Sequence, residues 1–95
     1  MPVGIAGLLR WTMRLARYVK FRAEKFGGVL FETRSEKVFT LNPTATAVIR
    51  EIESGTAESE IAGRVKALFD GDGGAIEREV GAFLANLRGK GLVED

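Results

Sequence analysis

Apolar residues recur first at helical spacing, then alternate, then return to helical spacing along the 95-residue chain. From Ile5 to Arg17, Arg10, Arg14 and Arg17 share one stripe at i, i+4, i+7. Ile5, Leu8, Trp11, Thr12 and Leu15 gather opposite them, which predicts a short amphipathic helix or an arm. Tyr18 to Ala23 alternates, with Val19 and Phe21 facing one way and Tyr18, Lys20 and Arg22 the other, as a strand does. Glu24-Lys25-Phe26-Gly27-Gly28 interrupts it, and a turn or bulge is predicted there because two adjacent glycines permit positive φ. Two further strand-like runs follow, Val29 to Glu32 and Lys37 to Leu41, joined by Thr33-Arg34-Ser35-Glu36, a linker of hairpin length.

Asn42-Pro43 marks the return to helical spacing. Asparagine is a good N-cap, and proline suits the first helical position because the N–H it lacks has no partner there. Ala45, Val48, Ile49 and Ile52 form the stripe of the first helix, which Ser54-Gly55 ends. Thr56 is placed to cap a second helix, with the stripe Ile61, Val65, Leu68 and Phe69. After the break at Asp70 to Gly74, a third helix carries Ile76, Val80, Phe83, Leu84 and Leu87. Gly91 suits a left-handed C-cap, in which Leu92 folds back on Leu87. The order predicts an α+β fold, a three-stranded antiparallel sheet followed by three helices. Residues 1–17 read as a basic arm or short helix, and 18–95 as the domain proper.

Composition narrows the chemistry. The chain has no cysteine and no histidine, so disulfides, thiolate ligands, cysteine nucleophiles and the commonest general base are all missing. Ser35, Ser54 and Ser59 have no histidine to activate them. The acid pairs Glu51/Glu53, Glu58/Glu60 and Glu77/Glu79 sit two apart on helices, where side chains diverge, and read as solvated surface. Asp70-Gly71-Asp72-Gly73 resembles the front of a calcium loop. It lacks the glycine and the glutamate such a loop needs at Ala75 and Gly81, so a turn with an N-cap is the simpler reading. No catalytic residue, metal site or cofactor is expected.

Charge is uneven. Up to Lys25 six bases face one acid, a net of +5, and the remainder is −4. The basic front admits three readings: it docks on the domain, it meets an anionic surface, or it pairs two copies into a homodimer. No stretch is long enough to span a membrane and no signal peptide is expected, which points to the cytoplasm. Gly81, Ala82 and Ala85 leave little charge behind the third helix's apolar stripe, so a second packed surface is weighed there against a tolerated glycine. A winged-helix DNA-binding regulator is the alternative to a peptide-binding module. It is disfavoured because the third helix carries Arg78, Arg88 and Lys90 against Glu77 and Glu79, a net of only +1.

One resemblance goes further than composition. Leu41-Asn42-Pro43-Thr44-Ala45 opening a helix, Ile52-Glu53-Ser54-Gly55-Thr56, Glu60-Ile61, then Val80, Phe83-Leu84, Leu87 and Gly91-Leu92, resembles the PqqD family. The hairpin from Gly28-Val29-Leu30-Phe31 to Val38-Phe39-Thr40-Leu41 fits the same pattern, and the match runs from about Tyr18 to Asp95. The resemblance implies a winged-helix-like, non-catalytic peptide chaperone. Such a domain binds the leader of a ribosomally made precursor peptide and presents it to a modifying enzyme, often a radical S-adenosylmethionine enzyme. It also implies that the leader adds as a strand beside Lys37, Val38, Phe39, Thr40 and Leu41. The helical wall would then come from Glu79, Val80, Phe83, Leu84 and Leu87. Spacing leaves open which of these line a groove and which fill the core. The segment before Tyr18 lies outside the resemblance.

Overall fold

The computed structural model describes residues 12–95. Their elements run β1 (Arg14–Leu15), β2 (Val19–Glu24), β3 (Gly27–Glu32), β4 (Lys37–Leu41), α1 (Pro43–Glu53), α2 (Glu58–Lys66), α3 (Gly73–Gly89) and β5 (Val93–Glu94). Strands β2, β3 and β4 form an antiparallel sheet in that order, with Val19 opposite Glu32 and Leu30 opposite both Phe21 and Phe39. The α+β order read from the sequence, three strands and then three helices, is the observed one. A second, two-stranded sheet pairs β1 with β5 and brings the two ends of the described chain together.

The first segment is not helical where it is described. A short amphipathic helix or an arm is expected over Ile5 to Arg17, and 1–11 lie outside the described residues. Thr12 forms a bridge with Ala57, Arg14–Leu15 is a strand, and Arg17 and Tyr18 are in a turn. Arg14 and Arg17 therefore do not share a helical stripe. The reason is tertiary. Met13 and Ala16 are buried in the core, and Ala16 donates its N–H to Leu92 O. Pairing and burial outweigh a weak local helical preference.

The helix boundaries follow cap chemistry. Asn42 Oδ1 accepts from Ala45 N at the start of α1, and Asp72 Oδ1 accepts from Gly74 N and Ala75 N at the start of α3. Both α1 and α3 end in a left-handed glycine. After α3, Gly91 N donates to Arg88 O and Leu92 N to Leu87 O, and both leucines are buried. The second helix differs from its prediction at both ends. Ala57, not Thr56, occupies the N-cap and makes no side-chain bond, while the Thr56 hydroxyl donates to Glu51 Oε1. Downstream, α2 stops at Lys66, so Leu68 leaves the apolar stripe and is exposed.

The core gathers Leu30 and Leu41 from the sheet, Val48, Ile49 and Ile52 from α1, Ile61 and Val65 from α2, and Val80, Leu84 and Leu87 from α3. Each such side chain, removed from water, contributes about 1.5–3 kcal/mol before entropy is counted. Gly81, Ala82 and Ala85 face solvent, and a Cβ at Gly81 would meet nothing. The glycine is thus tolerated and is not a contact point among the described residues.

Candidate functional site

Strand β4 is an edge. Its inner side pairs with β3 from Lys37 to Leu41, and among the described residues no strand pairs with its outer side. The described part of the N-terminal segment pairs with β5 and leaves that edge uncovered among the described residues. An edge strand presents unpaired N–H and C=O groups, which are a template for another extended chain.

Two hollows flank this edge. One, of about 220 Å³, lies where β4 meets α1 and α3, and is lined by Thr40, Leu41, Asn42, Glu79, Val80 and Phe83 among others. The other, of about 230 Å³, lies at the Lys37 end and is lined by Glu32, Ser35, Lys37, Phe39, Lys90 and Leu92. Residues distant in sequence meet in both, because α3 runs back past β4 and its C-cap returns to the sheet. Lys90 Nζ sits 5.8 Å from the centre of the Phe39 ring, within reach of a cation–π contact. Asn42 Nδ2 donates to Glu79 Oε2 at 3.1 Å, closing the opposite end.

The residues picked from the sequence divide into three sets. Lys37, Phe39, Thr40, Glu79 and Phe83 are exposed or half-buried around the two hollows. Leu41, Val80, Leu84 and Leu87 are core residues; Leu41 and Val80 also back the first hollow, whereas Leu84 and Leu87 line neither. Val38 is 60% exposed on the opposite face of the sheet, where it lines a hollow with Lys20, Arg22, Val29 and Phe31. Strand alternation requires this, since Val38 has the opposite parity to Lys37, Phe39 and Leu41. Asn42, Lys90, Glu32 and Ser35 were not picked. Asn42 carried only the signal of a helix cap, and Lys90 only that of a base after a helix end.

The carboxylates near the site differ in how far they are engaged. Burial of the Glu32 carboxyl raises its pKa. The opposing hydrogen bonds from Arg34 N, Ser35 N and Ser35 Oγ, with the nearby Arg34 charge, prevail and hold it below the usual value. Its charge is thereby committed to the β3–β4 turn. Among the described residues, no group of three or more carboxylates converges to hold a metal ion, and no helix is long and apolar enough to cross a membrane.

Comparison with known proteins gives the following. The family model described as Coenzyme PQQ synthesis protein D (PqqD) matches residues 27–93. TbiB1 in complex with the TbiA(beta) leader peptide is similar in structure, with a TM-score of 0.73 and 23% identity over 85% of this chain and 94% of that one. Lasso peptide synthetase B1 complexed with the leader peptide is similar with a TM-score of 0.72 and 22% identity, over 87% of this chain and 98% of that one. At these identities the two structures establish a shared fold. No curated protein matches the chain.

Proposed function

Because the chain belongs to the PqqD family, we propose that it is a non-catalytic domain that binds the leader of a ribosomally made precursor peptide and presents it to a modifying enzyme. The observation that carries this reading is the outer edge of β4, unpaired among the described residues and set beside α3 with a hollow at either end. A strand added there gains backbone hydrogen bonds for affinity, and the hollows receive alternate side chains for specificity. The two proteins of shared fold are each complexed with a leader peptide, which supports leader binding by this fold here.

In this reading Lys37 to Leu41 supply the backbone edge. Glu79 and Phe83, with Phe39, touch the peptide, while Val80, Leu84 and Leu87 act from the core by fixing where α3 lies. All these residues fall within 18–95, the range expected for the domain. The absence of histidine and cysteine agrees with a domain that does no chemistry of its own. The partner would be the enzyme that modifies the precursor, with a radical S-adenosylmethionine enzyme as the family's frequent choice. DNA binding gains no support, since Arg88 of α3 is held by Glu58 and Asp95.

Calorimetry against the precursor peptide encoded beside this gene tests the proposal. Micromolar or tighter binding is expected, equivalent to about −8 kcal/mol or more. Phe39→Asp should abolish it while leaving the circular dichroism spectrum unchanged. Leu84→Asp is a poorer probe, because a carboxylate there would enter the core. Unchanged affinity in folded Phe39→Asp would remove the groove as the site.

A further inference from the structure

The groove beside β4 is polarised. At one end Lys37 and Lys90 line a common hollow, and neither forms an ion pair among the described residues. The carboxylate that shares the hollow, Glu32, is already occupied by the Arg34 and Ser35 amides, the Ser35 hydroxyl and the Arg34 charge. The local balance is therefore positive. At the other end Glu79 is bonded by the neutral amide of Asn42 and is likewise in no ion pair among the described residues. Half-buried Phe39 sits beside the positive end and half-buried Phe83 beside the negative one.

Lys37, Phe39 and Leu41 share one face of β4, and the stretch from the first to the last spans about 13 Å of strand. Side chains of a paired strand stand opposite these on the same face. Resting on the leader-binding reading above, we propose that the groove selects a peptide by charge order. A basic residue lies at the Leu41–Glu79 end, an apolar one against Phe39, and an acidic one between Lys37 and Lys90, at i, i+2 and i+4. The sheet is antiparallel throughout, and antiparallel pairing is the more stable per residue. The bound strand therefore runs from the Leu41 end to the Lys37 end, and the order from its N-terminus is basic, apolar, acidic.

The test uses three fluorescein-labelled peptides of roughly twelve residues, long enough to span a strand and both flanks. They differ only in a central segment: Lys-Thr-Leu-Thr-Asp, its reverse Asp-Thr-Leu-Thr-Lys, and the neutral Ser-Thr-Leu-Thr-Ser. Binding to the full chain is read by fluorescence anisotropy, with the neighbouring precursor as a reference. The first peptide should bind about tenfold tighter than the second, since reversal turns two attractive pairs into two repulsive ones. The preference should fade at about 1 M salt, where charges are screened beyond about 3 Å. In a chain carrying Lys37→Glu, Lys90→Glu and Glu79→Lys, all at exposed positions, the preference should reverse. Equal affinity for the two orders, or the opposite preference in the unaltered chain, overturns the charge order while leaving peptide binding intact. Binding of the precursor but of none of the three peptides overturns it as well. If neither precursor nor peptides bind, the leader reading falls with it.

Discussion

The Asn42 side chain bonds Glu79 through its amide at 3.1 Å and caps α1 through its carbonyl, which accepts from Ala45 N at 2.8 Å. One residue therefore starts the first helix and tethers the third helix to the end of β4. Asn42→Ala removes both bonds and should lower stability by about 1 kcal/mol in urea unfolding. Asn42→Asp keeps the cap but sets a carboxylate against Glu79. Its stability relative to the parent should rise on adding salt, which screens that repulsion.

Gly27 and Gly81 should respond in opposite directions to alanine. Gly27 has φ +146°, and a Cβ on it would stand 2.1 Å from Leu41 O, a backbone atom of the proposed binding strand. Gly27→Ala is expected to destabilise by about 3 kcal/mol and to weaken peptide binding, because β3 must shift away from β4. Gly81 lies inside α3 with open space around its Cβ position. Gly81→Ala should stabilise by about 1 kcal/mol through helix propensity alone. Denaturant midpoints of the two variants check the pair.

Acid should weaken the fold through Glu58 and Glu51. Hydrogen bonding from Arg88 holds the Glu58 carboxyl below its ordinary value of 4.5. The Thr56 hydroxyl, with Arg64, does the same for Glu51. A carboxyl depressed in the folded state contributes stability that is fully present above its unfolded value. That stability is lost as pH falls through the lower, folded value. Unfolding free energy should thus be level above 4.5 and decline below it. Glu58→Gln should be less stable than the parent at neutral pH and show a shallower acid decline.

Tyr18 ties the start of the sheet to the end of α3. Its hydroxyl donates to Gly91 O at 2.7 Å, and the Arg34 guanidinium lies 3.5 Å from its ring centre. Tyr18→Phe should cost about 1 kcal/mol, the usual net worth of one such bond. A loss indistinguishable from zero in chemical denaturation would show that water replaces the tyrosine at Gly91.

Much of the fold was legible because period and caps act locally. Val48, Ile49 and Ile52 had to share a helical face, and Asn42-Pro43 had to start that helix, whatever the rest of the chain did. The helical alternative for the first segment fails over 12–17 for the complementary reason. Arg10, Arg14 and Arg17 have helical spacing, but the register of Arg14–Leu15 is set by Val93–Glu94 at the far end of the chain. Thr56 was misread similarly, because its hydroxyl finds Glu51, a carboxylate already positioned by α1 and Arg64.

The edge strand returns the same division at the proposed site. By itself the sequence determined that Lys37, Phe39 and Leu41 share a face, that Val38 does not, and that Val80, Leu84 and Leu87 form one stripe, since each follows from backbone geometry. Only the tertiary structure decided that Leu84 and Leu87 are spent in the core, that Glu79 meets Asn42, and that Lys90 arrives beside Phe39. Those outcomes depend on the path by which α3 and its glycine C-cap return to the sheet, a relation between elements that no local period encodes.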